Sequence, residues 1–123
     1  MIPLDEYKMS LGGFSQQLEE CKNALNPESI KEEILALEDQ MAAPDFWNDG
    51  ENANKLSQRS RQLQNKLERY NRLKSRFDDL GALIEMAEEE QDDSLADEIK
   101  SETAAVGEAI ETMRMEQMLK GPY

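Results

Sequence analysis

At 123 residues the chain has the length of one modest domain, and 33% charged with 38% hydrophobic residues is the balance of a helical bundle rather than of a disordered chain. The formal net charge is −13, there is no histidine, and there is one cysteine. These figures exclude an internal disulfide and a histidine-based proton shuttle or triad, and they argue against indiscriminate nucleic-acid binding. No apolar run approaches the roughly 20 residues that span a bilayer, and no secretory signal opens the chain, so a cytoplasmic protein is expected.

A first helix is predicted over about 4–25. Leu4, Tyr7, Leu11, Phe14, Leu18, Cys21 and Leu25 are spaced by three and four residues in turn, the seam of a coiled-coil-like helix. Gly12 and Gly13 weaken it midway, each by up to about 1 kcal/mol against alanine. Cys21 falls on the seam, where it reads as core filler rather than as a reactive thiol. Asn26-Pro27 then ends one helix and starts another, with Asn26 as cap, Pro27 in the first turn position and Glu28 behind it. The second helix, about 28–42, carries Ile30, Ile34, Leu37 and Met41 on one face.

The connector that follows holds Pro44, Asp45, Phe46 and Trp47, with the only tryptophan of the chain. Pro44 lacks the amide hydrogen a helix interior needs and pushes Ala43 out of helical backbone, and Asn48 or Asp49 is placed to cap the next helix. Two large aromatics in a connector are expected to pack back onto the helices they join. The segment therefore reads as a structural corner in preference to a ligand-binding aromatic patch.

A long third helix is predicted over about 51–89, with Leu56, Leu63, Leu67, Tyr70, Leu73, Phe77, Leu80 and Ile84 as its stripe. A last helix, about 94–119, carries Leu95, Ile99, Val106, Ile110 and Met113. No segment alternates as a half-buried strand would. Short connections make sequence neighbours antiparallel, so the expected fold is all-α: an elongated antiparallel three- or four-helix bundle with coiled-coil-like packing, occupying residues 1–119.

No catalytic constellation with a mechanism is present, and neither a cofactor, a metal nor a small-molecule substrate is expected. The acids Glu88, Glu89, Glu90, Asp92 and Asp93 lack the alternating ligands and central glycine of an EF-hand loop. They read as a solvated hairpin with Asp92, Asp93 or Ser94 capping the last helix. Charge is segregated elsewhere: residues 55–76 hold eight lysines and arginines against Glu68 alone, leaving the remainder strongly acidic. Lys55, Arg59, Lys66, Arg69, Arg72 and Arg76 lie mainly on one flank of the third helix, the one-sidedness a phosphate-tracking surface needs. The competing reading is that neighbouring acidic helices neutralise this flank through rim ion pairs, each contributing about 0–1 kcal/mol.

Ile34-Leu35-Ala36-Leu37-Glu38 followed by Met41-Ala42-Ala43-Pro44-Asp45-Phe46-Trp47-Asn48-Asp49 resembles the second helix and corner of bacterial peptide chain release factors of type 2. Leu119-Lys120-Gly121-Pro122-Tyr123 resembles the point where that family leaves its N-terminal helical domain, so 120–123 would begin a linker to a following domain. The resemblance implies a non-catalytic docking arm in translation termination. Its implied partners are the ribosomal stalk base, with protein L11 and its rRNA, and the GTPase release factor 3. The family's Gly-Gly-Gln loop and Ser-Pro-Phe motif are missing, since Gly13 precedes Phe14 inside an apolar seam. The rival reading is a free-standing coiled-coil adaptor or co-chaperone-like module binding partners through its acidic face.

Overall fold

The computed structural model of the protein describes residues 1–120. Gly121, Pro122 and Tyr123, which the resemblance assigns to the start of a linker, lie outside the described residues. The described chain is all-α, with helices α1 (Leu4–Leu25), α2 (Pro27–Met41), α3 (Gly50–Glu90) and α4 (Ala96–Leu119), and no strand among the described residues. It divides into two compact units: Leu25–Asn71, and Met1–Ala24 together with the chain from Arg72 on.

The first of these is a helix hairpin of α2 and the N-terminal part of α3. Asn26 takes the left-handed conformation (φ 55°), and its side chain accepts from the Ser29 amide at 3.4 Å. Asparagine tolerates that backbone better than other residues with a Cβ, and Pro27 meets the next position with its torsion already set. Ile30, Leu37 and Leu63 form the buried cluster, with Leu25, Ile34, Leu56 and Leu67 packed around it. Along α3 the inward positions in this unit are Ala53, Leu56, Ser60, Leu63, Leu67 and Tyr70, again spaced by three and four. Ser60 is the one buried polar residue of the seam, and its hydroxyl accepts from Gln64 Nε2 at 3.1 Å.

The second unit packs three helices: α1, the C-terminal part of α3, and α4. Leu18, Cys21, Leu80, Ile84, Ile99, Val106 and Ile110 are almost wholly enclosed. Contacts between α1 and α4 rise together along both helices: Phe14 with Gly107, Arg114 near Glu20 at 3.9 Å, and Gln117 with Cys21. The two helices are therefore parallel. The α3–α4 connection turns at Gln91, whose backbone is left-handed (φ 51°), while the Asp92 amide reaches back to the Ala87 carbonyl at 3.1 Å. That bond closes the helix end in the manner usual for a glycine at this position. Asp92 accepts from the Ser94 amide at 2.9 Å and from its hydroxyl at 2.5 Å, which holds its carboxyl below the usual carboxylate range. The cap thus forms on a single 3-10 turn, Asp93–Leu95, and α4 itself starts at Ala96 with no side-chain cap.

Candidate functional site

The corner between α2 and α3 is built from a chain of local hydrogen bonds. The Phe46 amide donates to the Ala43 carbonyl at 3.1 Å and the Asn48 amide to the Asp45 carbonyl at 3.0 Å, winding Phe46–Asn48 into one 3-10 turn. Asp49 is the cap of α3, its Oδ1 accepting from the Asn52 amide at 3.1 Å. The expectation that both aromatic rings pack back holds for Phe46 only, which is buried. Trp47 is 61% exposed. Successive residues of a 3-10 turn point about 120° apart, so adjacent rings cannot both face the same helix pair. The rings meet edge to face, centroids 4.9 Å apart at 89°, so the buried phenyl braces the exposed indole.

All six residues of the basic flank are exposed on α3. Lys55, Arg59, Lys66 and Arg69 belong to the hairpin unit, and Arg72 and Arg76 to the three-helix unit. Arg59 grips Glu33 of α2 with two hydrogen bonds, Nε to Oε2 at 2.7 Å and Nη2 to Oε1 at 3.0 Å. This fork pushes the arginine pKa up and the Glu33 carboxyl down, and the Lys66 charge lowers Glu33 further. Arg76 makes the same two-pronged contact with Glu102 of α4, with Nη2 to Oε2 at 3.2 Å, and shifts the pair in the same directions. Lys66, Arg69 and Arg72 have interactions of their own. Lys55 and Arg61 make no ion pair or side-chain hydrogen bond among the described residues. A phosphate arriving at α3 would meet Lys55 of the flank and Arg61 outside it directly, but at Arg59 or Arg76 it would have to displace a carboxylate. Arg61 was legible only as part of the basic run 55–76; its place outside the one-sided set hid it.

The remaining candidates are structural in their surroundings. Cys21 is 1% exposed, burial pushes its thiol pKa up, and its backbone oxygen accepts from Gln117 Nε2 at 3.0 Å. Lys8 of α1 pairs with Glu88 at the end of α3, which raises the lysine pKa. Among the described residues no group of carboxylates and thiols is placed to hold a metal ion, and no helix is long and apolar enough to cross a membrane.

Fold and surface together define a helical module whose chemistry lies in its charged flanks and in one exposed aromatic corner. The chain belongs to the PCRF domain family, matching that domain over residues 30–123. It is similar to proteins named peptide chain release factor 2: 36% identical to that of Streptomyces avermitilis over 113 residues, 92% of this chain and 31% of the relative. Identity to the Acidothermus cellulolyticus protein is 33% over 123 residues, 100% of this chain and 33% of the relative, and to the Corynebacterium aurimucosum protein 32% over 118 residues, 96% and 32%. The chain therefore spans about a third of the length of the curated relatives it matches. The resemblance read from the corner and its flanking helix is met by these matches, which include it.

Proposed function

We propose that this chain is the helical docking domain of a cytoplasmic translation termination factor of the release factor 2 type. The observation that carries the reading is the PCRF match over 30–123, joined by 36% identity to a peptide chain release factor 2. On this reading residues 1–119 are the docking domain and 120–123 lead toward the codon-reading and catalytic parts. The domain is itself non-catalytic: Gly12-Gly13-Phe14 lies within the α1 seam and cannot serve as a hydrolytic loop. Its partners are the stalk base of the ribosome, with protein L11 and rRNA, and release factor 3. A helical domain suits a docking arm, because packed helices hold their own surface residues in fixed register.

The basic flank is the proposed rRNA contact, through Lys55, Arg59, Lys66, Arg69, Arg72 and Arg76. Binding there would exchange the Glu33 and Glu102 carboxylates for phosphates at Arg59 and Arg76, so it should be strongly salt dependent. The test is co-sedimentation of the chain with bacterial ribosomes across a salt series. Saturable binding that the triple change Arg59→Gln, Lys66→Gln, Arg69→Gln weakens, with a shallower salt slope, is the expected result. A chain that does not pellet with ribosomes at any salt overturns the docking reading. Binding with an unaltered salt slope in the triple variant removes the RNA role of the flank alone.

A further inference from the structure

The corner motif carries a feature that docking through a basic flank does not use. Trp47 stands 61% exposed on a turn fixed at both ends by backbone hydrogen bonds, with the Phe46 ring packed perpendicular to it. A large indole held rigidly in solvent contributes little to the core and loses little entropy when something covers it. Its electrostatic setting is one-sided. From Glu32 to Asn54 the chain has seven acids and no base. Of these, Glu33 is occupied by Arg59 and Asp49 by the Asn52 amide. Asp45, two residues before the indole, is exposed and its side chain caps nothing.

The geometry points to Trp47 as an aromatic docking post for a basic protein segment: an arginine or lysine lies over the indole face, and its charge is met by Asp45. Charge complementarity selects this occupant. An RNA base could stack on an indole, but its phosphates would enter a stretch of seven carboxylates that holds no lysine or arginine of its own. An aliphatic partner would leave Asp45 and its neighbours unanswered. The inference rests on the corner alone and stands apart from the ribosome reading.

The chain reports on this site by itself, because Trp47 is its only tryptophan. The intact chain is titrated at low salt with a tetra-arginine amide peptide, and Trp47 emission and calorimetric affinity are followed. The expected result is a saturable change in emission, an affinity about 5-fold weaker in Trp47→Ala, and a smaller loss in Asp45→Asn, with both variants melting as the parent does. Trp47→Phe should recover part of the affinity, since a phenyl face still attracts a cation. An affinity unchanged in Trp47→Ala would mean that the peptide binds elsewhere on an acidic chain, and overturns the proposal. So does an oligouridylate that binds at Trp47 while the arginine peptide leaves the emission unchanged.

Discussion

The two units use the same long helix for different ends. Of the eight largest fully buried side chains, seven (Leu18, Cys21, Leu80, Ile84, Ile99, Val106 and Ile110) lie in the three-helix unit and only Leu63 in the hairpin unit. The three-helix unit carries 18 acids and 8 bases, a net charge of −10, whereas the hairpin carries 9 acids and 6 bases, a net charge of −3. A third helix encloses a core from the side that a helix pair leaves open, so the three-helix unit has more enclosed apolar side chains to set against its larger net charge than the hairpin has. The exposed indole, Lys55 and Arg61 all sit in the hairpin. Most of the large enclosed side chains lie in one unit and the exposed indole in the other.

The sharpest way to break that contrast is to hollow out each core. Ile110→Ala should cost about 4 kcal/mol and lower the melting of the whole chain. Leu63→Ala should cost a comparable amount locally, and amide hydrogen exchange should then show α2 opening while α4 keeps its protection. Uniform loss of protection in both variants would mean that the chain opens as one body. At the corner, Phe46→Ala should destabilise the hairpin by about 3 kcal/mol, with Trp47→Ala changing thermal stability by less than about 1 kcal/mol. Equal effects in calorimetry would return both rings to a bracing role.

Smaller effects test the three-helix unit from within. A Cβ on Gly107 would sit 3.0 Å from Phe14 Cζ and 3.2 Å from its Cε1, so Gly107→Ala forces the ring of α1 to move. A net loss of about 1 kcal/mol is expected, because the clash outweighs the gain in helix propensity. Gly13→Ala meets nothing within 4 Å and should instead stabilise by up to about 1 kcal/mol in urea denaturation.

The smallest effect is electrostatic. The Arg59 fork holds the Glu33 carboxyl below the ordinary range, as Arg76 does for Glu102. A carboxyl depressed in the folded state stabilises fully only above its unfolded value of about 4.3, and the benefit is lost as pH falls through the lower folded value. Glu33→Gln should therefore cost about 0.5 kcal/mol at pH 7, with parent and variant melting curves converging below about pH 4. A difference that persists in acid would assign the cost to packing rather than to charge.

Much of this architecture can be read in the residues because its signals are local. Alternating three- and four-residue spacings mark the seams of α1 and α3, and Asn26-Pro27 and Pro44 mark breaks that no tertiary contact has to enforce. The inward positions that pattern reading passes over are Ala53, Ser60 and Ala87, small residues whose burial depends on how closely a neighbour approaches. Ile2, ahead of α1, is buried for a similar reason, since the chain entering the helix is laid against its neighbours in the fold. The corner was legible as a turn, but which of two adjacent rings faces inward depends on the 3-10 winding. The basic flank was legible as a run of charge. Its pairing with Glu33 and Glu102, each 26 residues away along the chain, appears only once the helices are side by side.

With Cys21 buried, the folded chain is expected to react only slowly with maleimide, so that cysteines placed on either unit can be labelled without first removing the native thiol. Left in place, it doubles as a clock. Its labelling rate measures how often the three-helix unit opens far enough to admit a reagent, a time scale that thermal melting does not give.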